Sequence, residues 1–249
     1  MAIILPSNSA SASFEITNSL QFDRGDSAKL TRTPSSSSNQ KTFTVSAWVK
    51  TFNSNANKAI FSGGQWPSEP YSVLQFDDVS RIRCTFRISS VTYFYVDGDL
   101  GHSAWKHVVW AVDTTDSTQD NRMKMYVDGT QITSFVATNK LNQNGDTGIN
   151  ANHIQSIGNL PALGWVFDGL IAEMHLVDGS QLAPTDFAVD DSGTWKAKEY
   201  TGSYGANGFY MKFSDSSDIG KDSSGNGNHF TPVNLASSDV KTDVPPFVS

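Results

Sequence analysis

Cleaving a glycosidic bond takes two carboxylates on one face, one to protonate the leaving oxygen and one to act as nucleophile or base. The chain has four glutamates, Glu15, Glu69, Glu173 and Glu199, and none has a second carboxylate two to four residues away. Glu173 shares a strand face with His175, but the acid that follows them, Asp178, falls at a turn. No His/Cys group has zinc spacing, no glycine-rich loop precedes a helix, and no serine stands in a nucleophile elbow. Enzymatic chemistry is therefore not expected. His107 lies on the face of Trp105 and reads as a hydrogen-bonded core histidine. Cys84, the only cysteine, has Ile82 and Phe86 on its strand face and reads as an inert core thiol.

Binding chemistry has better candidates. The run Asp222-Ser-Ser-Gly-Asn-Gly-Asn228 offers side-chain oxygens from Asp222, Asn226 and Asn228 and carbonyls exposed by glycines, which suits Ca2+. The same Asn/Gly turn can also close on its own side-chain hydrogen bonds without metal. Sugar binding needs an aromatic face against the apolar face of a sugar ring, with polar groups around it. Two loops could supply that: Gln65-Trp66-Pro67-Ser68-Glu69-Pro70-Tyr71 and Leu160-Pro-Ala-Leu-Gly-Trp165. Trp66, Tyr71 and Trp165 are thus the candidate glycan contacts. A loop tryptophan serves equally as an anchor in a protein interface.

These loops must be held by strands, since alternating apolar and polar residues dominate the chain. Phe43, Val45, Ala47 and Val49 share one face of a strand over 42–50, and Met123, Met125 and Val127 share another over 123–127. Leu170, Ala172, Met174 and Leu176 alternate with Ile171, Glu173, His175 and Val177. The segment 105–113 is apolar on both faces and reads as a central, doubly covered strand. Val-Asp-Gly occurs at 96–98, 127–129 and 177–179, and Asp-Gly suits tight hairpin turns. One helical turn is expected at 183–187, with Pro184 near its start. More than ten short strands with almost no helix imply an all-β fold of two antiparallel sheets packed as a sandwich.

Composition narrows the partners. Charged residues are 17% of the chain and the formal net charge is −7, without a basic stripe, so nucleic acid is not an expected partner. The apolar start Ile3-Ile4-Leu5 is too short for a membrane span or a signal peptide, so no membrane association and no secretory route are expected. The lone cysteine fits synthesis in a reducing compartment. Residues 1–18 read as an N-terminal arm, 19–235 as the sandwich, and 236–249 as an irregular, proline-containing tail.

Four stretches carry a family resemblance: Trp105 to Asp113 with Arg122 to Gly129; Phe167-Asp-Gly-Leu-Ile-Ala-Glu173; Trp195 to Tyr200 with Asn207 to Phe213; and Asp222 to Asn228. Their order and spacing resemble the laminin-G-like, concanavalin A-like jelly-roll domain, most of all the version in structural proteins of marine bacteriophages. The resemblance implies a non-enzymatic virion protein, on a tail fibre or the capsid surface, made in the host cytoplasm. It would bind host-surface glycan or other virion proteins and act as a homo-oligomer. Two other readings stay open: a purely structural decoration or assembly protein, and a polysaccharide hydrolase of the same fold.

Overall fold

A computed structural model describes residues 14–52, 57–78, 81–88, 91–135 and 140–248. Most of the expected N-terminal arm, residues 1–13, lies outside the described residues. The strands begin with β1 Ser19–Phe22, β2 Lys29–Arg32, β3 Thr42–Thr51, β4 Lys58–Gly63, β5 Tyr71–Phe76 and β6 Arg81–Ile88. They continue with β7 Val91–Asp99, β8 Lys106–Asp113, β9 Met123–Val127, β10 Thr130–Gln131, β11 Gln155–Ile157 and β12 Gly169–Asp178. The last are β13 Ala188–Asp191, β14 Thr194–Ala197, β15 Phe209–Met211, β16 Thr231–Val233 and β17 Val240–Lys241.

Two antiparallel sheets form the sandwich. The first has the order β10-β9-β8-β3-β12-β1-β17, with β15 following β1 along the same edge of β12. The second has the order β16-β2-β11-β4-β5-β6-β7, and β13 and β14 make a separate hairpin. The interior carries the side chains that the strand period assigns to it. Phe43, Val45, Ala47 and Val49 of β3 meet Leu74, Phe76, Cys84 and Phe86 of the second sheet in one buried cluster. Trp110 joins the layers, edge-on to Phe43 at 5.5 Å and tilted against Phe86 at 5.0 Å. Burial pushes the Cys84 thiol well above its usual pKa, as befits an inert thiol. Among the described residues no helix is long and apolar enough to cross a membrane.

Three features differ from the strand pattern. Only Val127-Asp128-Gly129 makes the expected hairpin, with Asp128 at φ 46° and Gly129 at φ 78° between β9 and β10. Val96-Asp97-Gly98 lies inside β7, where Arg81 pairs Asp99 and Arg83 pairs Val96, so the dipeptide makes a bulge instead of a turn. At Val177-Asp178-Gly179 the chain leaves the sheet without doubling back, because β12 is already paired along both edges.

β12 itself is bulged. Ala172 pairs Trp48 and His175 pairs Ser46, leaving Glu173 and Met174 opposite the single residue Ala47. Glu173 takes φ 46°, and the alternation changes phase there. Ile171, Met174 and Leu176 point into the core, so Ala172 and Glu173 both face outward. The tail is also more ordered than expected. Val240–Lys241 adds an edge strand to β1, and Phe247 bridges to Ala197 and meets Phe14 edge-on at 6.3 Å. The turn at 183–187 forms as a 3-10 helix over Pro184–Asp186.

Candidate functional site

The outer face of the second sheet gathers the three aromatic candidates. Ala59, Tyr71, Val73 and Leu160 form an apolar floor there, and Trp66, Leu163 and Trp165 lie half-buried on it. The two tryptophans arrive from loops far apart in sequence, and different devices hold them. β4 outruns β11 at its start, and the loop after β11 takes up the free edge. Gly158 N donates to Ile60 O at 2.9 Å, and Ala59 N donates to Trp165 O at 3.1 Å. The Trp66 loop turns back sharply at Gly64, at φ 83°, where any Cβ would lie 2.4 Å from the Pro70 carbonyl oxygen. Only glycine fits both that conformation and that approach.

Tyr71 is 4% exposed and supports the site from below, edge-on to Trp66 at 6.1 Å. Two arginines from β6 cover the indoles: Arg87 lies 4.4 Å from the Trp66 ring centroid and Arg83 lies 5.5 Å from that of Trp165. Arg87 Nε donates to Glu69 Oε1 at 2.6 Å, which ties the Trp66 loop to the sheet. Beside the loop is a cleft of about 290 Å³ whose wall includes Gln65, Ser68, Glu69 and His153. The surface therefore offers half-exposed aromatic rings, guanidinium groups and a polar cleft side by side. Nothing in the sequence pattern marked Arg83, Arg87 or His153 as neighbours of the tryptophans, because register and loop folding bring them there.

The Asp222 loop is built differently from an ion site. Asp222 Oδ1 accepts from Tyr210 N and Ser224 N, both at 2.9 Å, and Oδ2 accepts from Ser224 Oγ and Asn228 N, both at 2.8 Å. The Asn226 amide donates to the carbonyls of Gly205 and Gly208, and the Asn228 amide to those of Ala206 and Gly208. Arg32 adds a guanidinium, donating to Asn207 O at 3.0 Å. Burial lowers the Arg32 pKa to about 10, against the opposing pull of Asp222 and Asp178. Calcium takes roughly six to eight oxygens at about 2.3–2.6 Å, whereas both carboxylate oxygens of Asp222 here already accept N–H and O–H donors. The one charged group of the loop is committed to the loop's own donors. Among the described residues no group of three His, Cys, Asp or Glu side chains could hold a metal.

Asp178, expected only at a turn, is a second such node. It is 8% exposed and accepts from Asn39 N, Asn150 Nδ2 and Asn207 N at 3.2, 3.0 and 2.9 Å.

The outer face of the first sheet carries the groups that could be mistaken for catalytic ones. Ser46 Oγ lies 2.8 Å from His107 Nε2, both buried. Trp195 Nε1 donates to His107 Nδ1 at 3.0 Å. An indole can only donate, so Nδ1 is the acceptor and Nε2 carries the ring proton toward Ser46. That tautomer cannot take a proton from the serine, and burial holds the His107 pKa near 3. Glu173 is 2% exposed and accepts from the Tyr210 hydroxyl at 2.5 Å through Oε2. Burial raises its pKa to about 7, opposed by that hydrogen bond and by Lys212. His175 stacks on Tyr210 at 4.4 Å, packs against Phe187 and Tyr200, and is itself buried.

A family model described as the concanavalin A-like lectin/glucanases superfamily matches residues 23–185. Among solved structures, a Bacteroides ovatus protein to which carbohydrate binding is ascribed superposes with a TM-score of 0.60 at 16% identity, over 95% of this chain and 63% of that one. The LG4-5 domains of the mouse laminin α1 chain superpose with a TM-score of 0.49 at 17% identity, over 70% of this chain and 45% of that one. A heptameric SAP-like pentraxin of Limulus polyphemus gives 0.45 at 13% identity, over 69% of this chain and 81% of that one. The chain thus spans less than two thirds of the Bacteroides protein and of the laminin pair. No curated protein sequence matches it.

Proposed function

The chain belongs to the concanavalin A-like lectin/glucanases superfamily, and within that fold we propose that it binds carbohydrate through its Trp66–Trp165 surface and cleaves nothing. The observation that carries this reading is the convergence of Trp66 and Trp165, half-exposed, on one apolar floor beside a polar cleft. Aromatic platforms with convergent hydrogen-bonding groups are the usual means of holding a sugar ring. The fold likeness to the Bacteroides ovatus protein supports the same reading. The absence of turnover rests on chemistry. Glu173 is sealed beneath tyrosines, and the tautomer of His107 is fixed against base catalysis. The motif resemblance extends the proposal to a virion surface, where the ligand would be host glycan and the neighbours virion proteins in a homo-oligomer.

A glycan array tests the binding. Trp66→Ala and Trp165→Ala should each weaken the best hits by roughly tenfold or more, the loss expected when an aromatic anchor is truncated. The floor is retained in both, so the melting temperature should stay close to wild type. Undiminished binding in both variants would move the site elsewhere. Release of reducing ends from any bound polysaccharide, abolished by Glu173→Gln, would restore the hydrolase reading.

A further inference from the structure

A second cleft opens on the opposite side of the sandwich, and nothing in the Trp66–Trp165 reading uses it. Its volume is about 290 Å³, at the small end of ligand pockets. Tyr200, Tyr204 and Tyr210 form its aromatic wall, and Glu199, Lys212 and Ser223 stand among its polar groups. These residues all lie beyond the segment 23–185 that the family model matches.

The tyrosines are fixed before any ligand arrives. Tyr204 and Tyr210 lie within 4° of parallel, and His175 stacks against both, at 5.9 and 4.4 Å. Tyr200 meets Tyr204 edge-on at 5.1 Å and stacks on Phe187 at 5.0 Å. Ligand binding then costs little side-chain ordering. The hydroxyl protons of Tyr200 and Tyr210 are also committed. Tyr210 donates to Glu173 Oε2 and Tyr200 donates to Ser203 O. Each phenolic oxygen keeps lone pairs and has no proton left to give, so both can serve only as acceptors. Burial raises the pKa of both, which keeps them neutral.

A ligand matched to this wall brings hydroxyl donors and an apolar ring face. Glu199 and Lys212 place one charge of each sign on the lining, while the carboxyl groups of Glu173 and Glu199 both act on the tyrosine wall, so the cleft disfavours an anion. Beneath the wall, the bulge that gives Glu173 φ 46° sets its carboxylate behind Tyr210, and no described residue hydrogen-bonds Oε1. Backbone held in that conformation recurs at binding sites.

We propose that this cleft binds a single neutral sugar ring, independently of the Trp66–Trp165 surface. The test is an amide NMR titration of the full chain with methyl β-glucopyranoside, methyl β-galactopyranoside and methyl α-mannopyranoside, with glucuronate as the anionic control. At least one glycoside should shift the amides of Thr201, Lys212 and Ser223 saturably, and glucuronate should bind about tenfold more weakly or not at all. Tyr200→Phe removes one acceptor oxygen and preserves the stack, and it should weaken binding about tenfold. Trp66→Ala should leave the cleft shifts unchanged. The proposal is overturned if no glycoside shifts these amides, if glucuronate binds as tightly as the glycosides, or if Tyr200→Phe binds like wild type. Loss of the cleft shifts in Trp66→Ala would equally overturn it, by showing that there is one site and not two.

Discussion

Replacing Asp222 by alanine should lower the unfolding free energy by about 3–5 kcal/mol, the penalty for leaving partners of a buried, hydrogen-bonded charge unsatisfied. The carboxylate is 5% exposed and satisfies four donors, three of them backbone amides, including the amide of Tyr210 on β15. It also faces the half-buried Arg32 guanidinium, whose pKa it holds up against burial together with Asp178. Loss of the carboxylate leaves its donors without an acceptor and Arg32 with Asp178 as its remaining acidic neighbour. For a chain of this size the melting temperature should fall by roughly 10 °C. Asp222→Asn keeps the shape and one acceptor oxygen and should fall between alanine and wild type. Because N–H and O–H donors fill the loop, excess EDTA should leave the wild-type melting curve where it is. A loss below about 1 kcal/mol in Asp222→Ala, or a melting temperature that drops on chelation and recovers with calcium, would show that the loop is held together by metal instead.

The second large effect is a pH dependence centred on Glu173. Burial lifts its pKa from 4.5 to about 7, the Tyr210 hydrogen bond and Lys212 opposing the shift. Between those two values the folded chain keeps a proton that the unfolded chain has released. Stability from this group is therefore complete below pH 4.5 and is lost as the pH rises to about 7. The shift corresponds to about 3 kcal/mol. His107 and His175 act in the opposite sense. Burial holds each near 3, so the folded chain stays neutral where the unfolded chain takes up protons, and stability falls as the pH drops below 6.5. The wild-type optimum should then lie near pH 6.5.

Glu173→Gln isolates the carboxyl from the imidazoles, since glutamine keeps the shape of the protonated form at every pH. Urea denaturation should show the variant gaining on wild type by about 3 kcal/mol between pH 4.5 and pH 8. Parallel stability curves across that interval would mean that Glu173 is ionised at its ordinary pKa and reaches water.

Period alone determined much of this protein. The two-residue alternation in Phe43 to Val49 and in Met123 to Val127 is a local property of the chain, and burying its apolar face leaves a two-sheet sandwich as the natural solution. The isolation of Cys84, the burial of His107 and the loop character of Trp66 and Trp165 were legible for the same reason. Each depends on neighbours one or two residues away.

Tertiary structure decided what depended on register and on distant partners. Asp-Gly at 97–98 carries the same local signal as Asp-Gly at 128–129, yet one makes a bulge and the other a turn, because the first faces a strand that continues past it. The bulge at Glu173 moved one carboxylate to the outer face and changed the phase of β12, and a count by twos cannot register an inserted residue. Asp222 read as a ligand source because oxygen atoms are visible in sequence. The donors that occupy those oxygens come from positions 210, 224 and 228, and the Tyr210 amide reaches the loop only once β15 has paired with β12. The Trp66–Trp165 surface and the tyrosine cleft depend on tertiary structure in the same way. Each sits where loops from separate strands converge, and convergence is a property of topology that no run of neighbouring residues encodes.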